Sequence, residues 1–255
     1  MEWYWIVAIV VGSLAILLAL SNIFYKQFFK RFYDVVLSGV ALIVLSPLLL
    51  ILTIVGAIAM GGNPFFVQPR PGKIDPKTGK ERIFSLVKFR TMSNKKDSEG
   101  NLLPDSVRLN KYGKFLRRTS LDELPELFSI IMGDMSIVGP RPQLVRDMVF
   151  MSEEQRMRHT IRPGLTGLAQ ISGRNAISWE GKLSVDLEYL QKITFIGDCK
   201  IIFQTVGKVL KQEDITAEGM ATVDDYGDAL LKEGKVSLEE YKLKQEEATN
   251  LLLQV

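Results

Sequence analysis

Apolar and polar residues are separated along this chain into long blocks. No charged side chain occurs at positions 3–25 or 35–60. At a rise of ~1.5 Å per residue, each block is long enough as a helix to cross a hydrocarbon core of ~30 Å. Aromatic residues lie at both ends of the first block, and basic residues follow it directly. The pattern predicts a retained transmembrane anchor, followed by chain on the cytoplasmic side.

The second apolar block has Ser46-Pro47 at its middle. Proline removes a backbone donor and clashes with the preceding turn, so it kinks or breaks a helix. Basic residues flank the block on both sides, as is typical of cytoplasmic segments. These features favour a re-entrant helix-break-helix that enters the membrane, turns at Ser46-Pro47 and returns. A full span with a proline kink is the alternative.

Beyond residue 60 the pattern is that of a water-exposed domain. Alternating apolar and polar residues predict two strands, 65–70 and 83–89, joined by a polar turn. Apolar residues at helical spacing predict helices at 107–118, 121–132, 144–160, 178–196 and 199–211. The expected fold is therefore mostly α-helical with a small β-hairpin, attached to the membrane-inserted segments.

Capping patterns and amphipathic faces refine this prediction. Ser120 and Glu123 have the spacing of a capping box and would open the helix at 121–132. Ser237 and Glu240 have the same spacing and predict a C-terminal helix. The helix at 107–118 and the one at 199–211 each have an apolar and a basic face. We expect them to lie in the membrane interface.

Composition excludes several kinds of chemistry. The 255 residues include one cysteine, Cys199, and one histidine, His159, so neither an intramolecular disulfide nor a zinc site of the Cys/His type can form. His159 would be the base of any nucleophile–histidine enzyme, but no nucleophile motif lies beside it. The glycine patterns of nucleotide-binding loops are also missing. Carboxylates, arginine, lysine and a bound metal remain as the sources of chemistry.

Charge is distributed unevenly over the polar part. Residues 61–118 contain 14 Lys+Arg and 5 Asp+Glu, although the net charge of the whole chain is +3. A basic block directly after a membrane segment favours anionic lipid headgroups or a phosphorylated ligand. Nucleic acid is not expected as a partner, because the chain is membrane-anchored and its net charge is small.

The segment from Arg117 to Pro125 combines arginines with Asp122 and Glu123 at a predicted helix start. Acidic residues there also stabilise the helix dipole, so a structural role is one interpretation. The other is phosphoryl chemistry, in which a carboxylate attacks a phosphate that arginine or a divalent cation neutralises. Further cationic segments lie at 86–92, 133–142 and 162–175. Each could bind a phosphate or could equally be structural.

Five motifs that occur in order carry a family resemblance. They are Lys88-Phe89-Arg90-Thr91-Met92, Ser120 to Pro125, Gly133 to Ser136, Gly139 to Pro142 and Arg162 to Gly167. Over about residues 28–222 the chain resembles the bacterial sugar transferases of the monotopic phosphoglycosyl transferase superfamily, most closely the small single-domain type. The resemblance implies transfer of a phospho-sugar from a UDP-sugar to polyprenol (undecaprenyl) phosphate, with release of UMP.

The same resemblance implies roles for individual residues. Asp122 is similar to the attacking aspartate, which forms a covalent aspartyl intermediate, and Glu123 to its magnesium-linked partner. Asp198 matches a further acidic position and is expected to bind Mg²⁺ with Glu123. The positions that match substrate or phosphate contacts are Lys88, Arg90, Arg117, Arg141 and Arg174. The resemblance also strengthens the re-entrant interpretation of the second apolar block.

These implications define the expected organisation. The segments are an anchor at 1–27, a re-entrant helix at 28–62, a catalytic domain at 63–222 and an acidic tail with a short helix at 223–255. The enzyme would act at the cytoplasmic face of the bacterial inner membrane, in the first membrane step of glycoconjugate or polysaccharide assembly. Its partners would be membrane lipid and downstream glycosyltransferases, with a homodimer left open.

Three alternatives remain at this point. The chain could be a non-enzymatic scaffold that binds anionic lipid through its basic block. It could also transfer the sugar phosphate in one step, with Asp122 acting as a base. For the sugar, residues 173–180 resemble those of enzymes that use N-acetylated amino-sugars, which favours a UDP-N-acetyl-hexosamine over UDP-glucose or UDP-galactose.

Overall fold

A computed structural model describes residues 3–173, 177–211 and 225–254, except for the side chains at 14, 15 and 17–22. The α-helices are α1 (Trp3–Ile23), α2 (Lys30–Met60), α3 (Asp105–Arg108), α4 (Lys111–Thr119), α5 (Glu126–Met132), α6 (Val145–Met148), α7 (Glu153–Arg156), α8 (Leu168–Ile171), α9 (Trp179–Gln191), α10 (Phe195–Lys211), α11 (Tyr226–Lys232) and α12 (Leu238–Leu252). The strands are β1 (Phe65–Ile74), β2 (Glu81–Phe89), β3 (Ser136–Val138) and β4 (Gly164–Thr166). The mostly helical fold with a small sheet is as predicted.

The β1–β2 hairpin confirms the two predicted strands. The strands are antiparallel, with Phe65 opposite Phe89. In the connecting turn, the Asp75 side chain accepts a hydrogen bond from the backbone N–H of Lys77 at 2.8 Å. One face of β2 packs on α5, where Phe84 and Leu86 join a buried cluster. This packing places the end of β2 beside the start of α5.

α2 passes through Pro47 without interruption. Because proline has no N–H, the carbonyl of Ile43, four residues earlier, loses its helical donor. The Ser46 hydroxyl donates to that carbonyl at 2.7 Å. The break predicted at Ser46-Pro47 is therefore wrong as an interruption of the helix, because Ser46 supplies the hydrogen bond that Pro47 removes.

Both ends of α2 contact the same folded body. Near its start, Lys30 Nζ donates to the carbonyl of Val138 at 2.8 Å. Near its end, the carbonyl of Ala59 accepts from Asn110 Nδ2 at 2.9 Å. Another face of α2 is apolar and exposed, and it includes Ile43, Val44, Leu50, Ile51, Ile54 and Ile58. Residues 25–60 form a helical stretch that is long and apolar enough to cross a membrane.

The two glycine-rich segments are joined by the parallel pairing of β3 with β4. A Cβ atom on Gly164 would lie 2.1 Å from the backbone nitrogen of Gly139. One on Gly167 would lie 2.1 Å from the Gly139 carbonyl oxygen. These distances leave no space for a methyl group, so the backbones can approach only because all three residues are glycine. The glycines thereby hold the loop that begins at Gly139.

The region around Ser120 folds differently from the prediction. In place of one helix at 107–118 there are α3 and α4, because Asn110 has an extended backbone and caps α4 by accepting from the N–H of Gly113 at 2.8 Å. Ser120 has a left-handed conformation, with φ 53°, and ends α4. An N-cap residue normally has an extended backbone, so the capping box predicted there is wrong. A 3₁₀ turn, Leu121–Glu123, follows instead.

The remaining helices follow the prediction to different degrees. The helix predicted over 144–160 is divided into α6, α7 and a 3₁₀ turn, Met157–Thr160, because Ser152 has an extended backbone and caps α7. The C-terminal cap is confirmed: the Ser237 hydroxyl accepts from the N–H of Glu240 at 3.1 Å. α12 packs on α6, where Ala248 is buried. The described part of the predicted tail is therefore packed against the domain.

Candidate active site

The residues predicted for catalysis come from three separate parts of the chain. Lys88 is next to last in β2, and Asp122 and Glu123 lie on the 3₁₀ turn after α4. Arg141 lies in the loop after β3. Ser120, just before the 3₁₀ turn, is the one non-glycine residue with positive φ in the described part of the chain. Such a conformation has an energetic cost and is often found at functional sites.

Glu123 joins the two cations of the cluster. Its Oε1 accepts from Lys88 Nζ at 2.8 Å and from Arg141 Nη2 at 2.7 Å. Burial raises the pKa of Glu123, but the charges of Arg141 and Lys88 outweigh it and hold the pKa well below its usual range. Glu123 is thus an ionised carboxylate that fixes both cations in place.

Asp122 has a different electrostatic environment. Its carboxylate makes no ion pair with the residues that the structure describes. Burial and the charge of Glu123 raise the pKa of Asp122 to about 6, against the attraction of Lys88 and Arg141. An ionised Asp122 would be an unpaired, partly desolvated carboxylate next to two cations. This arrangement suits a nucleophile for a phosphorylated substrate.

Glu126 is a member of this cluster that the sequence interpretation missed. It begins α5, is 3% exposed, and lies with its Oε1 3.0 Å from Lys88 Nζ. Burial raises its pKa to about 7, although Lys88 opposes this. A signal was available, because residues three apart share a helix face and Glu126 follows Glu123 at that spacing.

Arg90 directly follows β2, and Arg117 of α4 reaches the same part of the chain. Arg117 Nε donates to the Thr91 hydroxyl at 3.0 Å. α4 can approach closely here because Gly113 has no side chain. A Cβ atom at that position would lie 1.9 Å from the Thr91 carbonyl oxygen. The Arg90 backbone donates to Pro64, and its half-buried guanidinium has no ion pair within the described ranges. Both side chains remain candidates for phosphate contacts.

Asp198 is not joined to this cluster. Its Oδ1 accepts from the Tyr189 hydroxyl at 2.7 Å. Its Oδ2 accepts from the Tyr25 hydroxyl at 2.8 Å and from Lys30 Nζ at 2.6 Å. Both oxygens therefore have protein partners, and Asp198 is 2% exposed. These contacts join α10 to α9 and to the start of α2, and they do not support the expectation that Asp198 shares a metal with Glu123.

The residues present fit Mg²⁺ at Glu123 better than at Asp198. Mg²⁺ is usually held by one or two carboxylates, several waters and the phosphates of the substrate. Glu123 Oε2 accepts no hydrogen bond from the residues that the structure describes, so this oxygen is free to bind a cation. No group of three carboxylate, histidine or cysteine side chains that could hold a metal occurs among these residues. Arg174 lies outside the described residues.

Comparisons with known proteins identify the family of this chain. The family model for bacterial sugar transferases matches residues 25–212. An uncharacterized sugar transferase, EpsL, of Bacillus subtilis is 44% identical over 197 residues, which cover 77% of this chain and 95% of that protein. A Klebsiella pneumoniae UDP-glucose:undecaprenyl-phosphate glucose-1-phosphate transferase is 37% identical, over 71% of this chain and 40% of that protein. The Salmonella typhimurium undecaprenyl-phosphate galactose phosphotransferase is 32% identical, over 74% and 42%.

Fold and site together define a membrane-associated enzyme whose carboxylates and cations are arranged for a phosphorylated substrate. α2 has an exposed apolar face, and Glu123 joins two cations beside Asp122. With the family match and the relatives above, the chain belongs to the bacterial sugar transferase family.

Proposed function

We propose that this protein transfers a sugar-1-phosphate from a UDP-sugar to polyprenol phosphate, such as undecaprenyl phosphate, and releases UMP. Asp122 carries the proposal: it is a carboxylate without an ion-pair partner among the described residues, beside two cations that Glu123 holds. The relatives named for UDP-glucose and for undecaprenyl-phosphate galactose transfer support this reaction.

The first step is attack by an Asp122 carboxylate oxygen on the phosphorus that carries the sugar. A phosphorus–oxygen bond to Asp122 forms, the diphosphate bond to UMP breaks, and UMP leaves with the bonding electron pair. Negative charge develops on the transferring and leaving phosphates. Lys88 and Arg141 are positioned to stabilise this charge without further reorganisation, because Glu123 already orients them.

The second step transfers the phospho-sugar to the lipid. A phosphate oxygen of the polyprenol phosphate attacks the same phosphorus, and the bond to Asp122 breaks. The products are the polyprenyl-diphosphate-sugar and the free Asp122 carboxylate. A carboxylate nucleophile thus divides one displacement between two phosphorylated substrates into two steps.

Mg²⁺ is the cofactor we propose, with Glu123 as its protein ligand. When bound, it would neutralise diphosphate oxygens that otherwise repel the Asp122 carboxylate. The roles of the protein residues do not change: Glu123 orients Lys88 and Arg141, and Asp122 forms the covalent bond.

We further propose that α2 is re-entrant and that the active site faces the cytoplasm. Both ends of α2 contact one folded body, which supports entry and exit on the same membrane face. Because the helix is not interrupted at Pro47, it would turn there by a proline kink. The topology can be tested with Phe28→Cys and Asp75→Cys in a Cys199→Ser background. Both cysteines should resist an impermeant thiol reagent in intact cells, whereas Trp3→Cys should react. Labelling of just one of the first two would indicate that α2 spans the membrane.

The function is tested by UMP release from a panel of UDP-sugars in the presence of undecaprenyl phosphate. The proposal predicts UMP and a lipid-linked sugar in equal amounts. A scaffold protein would release no UMP with any donor. The same panel tests the predicted preference for a UDP-N-acetyl-hexosamine, which a clear preference for UDP-glucose or UDP-galactose would refute.

A further inference from the structure

Arg158 is a buried cation outside the cluster that contains Asp122. It lies in the 3₁₀ turn Met157–Thr160 and is 1% exposed. Asp186 of α9 accepts from it twice at Oδ2, from Nε at 3.0 Å and from Nη2 at 2.6 Å. Removing both charges from water is costly unless their geometry and remaining hydrogen bonds are nearly ideal. The targets of the remaining donors are therefore informative.

One of these targets is the backbone of a candidate catalytic residue. Arg158 Nη2 also donates to the carbonyl oxygen of Arg141 at 2.7 Å. Arg70 Nη1 donates to the next carbonyl, that of Pro142, at 3.1 Å. The buried Arg158 and the half-buried Arg70 thus hold two successive carbonyls of the loop, while the Arg141 side chain reaches Glu123 at 2.7 Å. The position of the Arg141 backbone determines where its guanidinium can reach.

His159 completes the surroundings of Arg158. Arg158 Nη1 lies 3.4 Å from His159 Nε2, and His159 Nδ1 lies 3.0 Å from Glu81 Oε1. Because arginine can only donate, Nε2 must accept, and Nδ1 must carry the proton that is donated to Glu81. Burial lowers the pKa of His159 to about 4, so the ring is neutral at physiological pH. Among the described residues, Asp186 is the one carboxylate that forms an ion pair with Arg158.

We propose that Arg158, held by Asp186, is a positioning residue that fixes the Arg141 backbone so that the Arg141 guanidinium meets Glu123 and the substrate phosphate. Neither Arg158 nor Asp186 touches substrate. The proposal rests on the proposed function, because it concerns the geometry of that reaction. A shift of about 1 Å in a group that positions reacting atoms can lower the rate by about 100-fold.

The first variant is Asp186→Asn, which preserves side-chain volume and one acceptor but removes the charge that holds Arg158. Arg158→Lys is the second, because lysine lacks the planar fork that bonds Asp186 and Arg141 together. Arg156→Gln is the matched control. Arg156 lies two residues before Arg158 and pairs with Glu81 of β2, and its hydrogen bonds do not include Arg141. All three are measured by UMP release, KM for the UDP-sugar and thermal midpoint.

We expect Asp186→Asn and Arg158→Lys to lower kcat by about 100-fold. Arg156→Gln should lower kcat by less than about 3-fold, even if its thermal midpoint falls as much as those of the other two variants. The decisive measurement places Asp186→Asn in an Arg141→Lys background. If Asp186 acts through Arg141, its substitution should cost less than about 3-fold there, because residues that act as a unit are non-additive.

Full multiplication of the two losses would overturn the inference, as would an equal loss of kcat in Arg156→Gln. If Asp186→Asn does not fold, the Arg158→Lys and Arg141→Lys pair gives the same comparison. If the wild type releases UMP but the losses from Asp186→Asn and Arg141→Lys are independent, this inference alone would be contradicted. A wild type that releases no UMP with any donor would contradict the proposed function, and this inference with it.

Discussion

The cluster around Asp122 and the cluster around Asp198 each combine an aspartate with a lysine but differ in how the charge of the aspartate is satisfied. Both oxygens of Asp198 accept hydrogen bonds from Tyr25, Lys30 and Tyr189. Asp122, by contrast, has no ion-pair partner in the described part of the chain, and its pKa is raised to about 6. A satisfied carboxylate stabilises the packing of helices, whereas an unsatisfied one beside cations is available for chemistry. The partners of an acidic residue, more than its charge, distinguish the two roles.

Substituting Asp122 should have the largest effect. Asp122→Asn removes the nucleophile and should lower UMP release by roughly 10⁴-fold or more. It should also raise the free energy of unfolding at pH 7. The folded state raises the pKa of Asp122, so the ionised side chain is destabilising above about pH 6, and asparagine removes that charge. Activity and thermal midpoint measured together check both parts. A variant that retains substantial turnover would remove the distinction between the clusters.

The magnesium requirement provides the next largest effect. Chelation should abolish activity and Mg²⁺ should restore it. On the residual activity, Glu123→Gln should raise the half-saturating Mg²⁺ concentration by about 10-fold or more. Asp198→Asn should leave this concentration unchanged, although loss of the buried pair with Lys30 should lower the free energy of unfolding by about 3 kcal/mol. The opposite outcome, with Asp198 controlling the Mg²⁺ requirement, would restore the metal site expected from the sequence.

The pH dependence sharpens the comparison further. Attack requires ionised Asp122, so the rate of UMP release should fall as the pH decreases through about 6. An ordinary aspartate would retain full activity down to about pH 4 to 5. The measurement is kcat/KM between pH 5 and 8, with Asp198→Asn as a control that should have the same midpoint. A profile that is flat above pH 5 would contradict the electrostatic account of Asp122.

A smaller effect is expected from Glu126, which shares Lys88 with Glu123. Its pKa is raised to about 7, so it is ionised above that pH and neutral below. Glu126→Gln should therefore resemble the wild type at pH 6 and lose a few-fold of its activity at pH 8. An equal loss at both pH values would mean that the charge of Glu126 does not help to hold Lys88.

Local patterns in the sequence predicted part of this structure. The alternation in β1 and β2 and the cap at Ser237 were confirmed because such signals depend on neighbouring residues. The pattern at Ser120 misled, since the same spacing occurs where α4 ends in a left-handed residue before Pro125. Local sequence does not distinguish these cases. Where α4 ends depends in part on its contact with Thr91, and tertiary packing sets that contact.

The candidate site shows the same limit. Asp122, Glu123, Lys88 and Arg141 were predicted because their motifs resemble those of a known family, and the structure connects Lys88 and Arg141 through Glu123. The partners of Asp198 were not predictable, because Lys30 is 168 positions away in the chain. The bond from Arg158 to the Arg141 carbonyl was missed because backbone acceptors have no sequence signal. Such contacts follow from the fold.

The central claim is that Asp122 forms a covalent bond with the phospho-sugar. The most direct measurement is intact-protein and peptide mass spectrometry of the enzyme incubated with Mg²⁺ and a UDP-sugar, without the lipid acceptor. We expect a phospho-sugar adduct on Asp122 that added undecaprenyl phosphate releases. The adduct should be absent from Asp122→Asn and present in folded Asp198→Asn. UMP release that requires the lipid from the start, with no adduct on any residue, would contradict the account and favour transfer in one step.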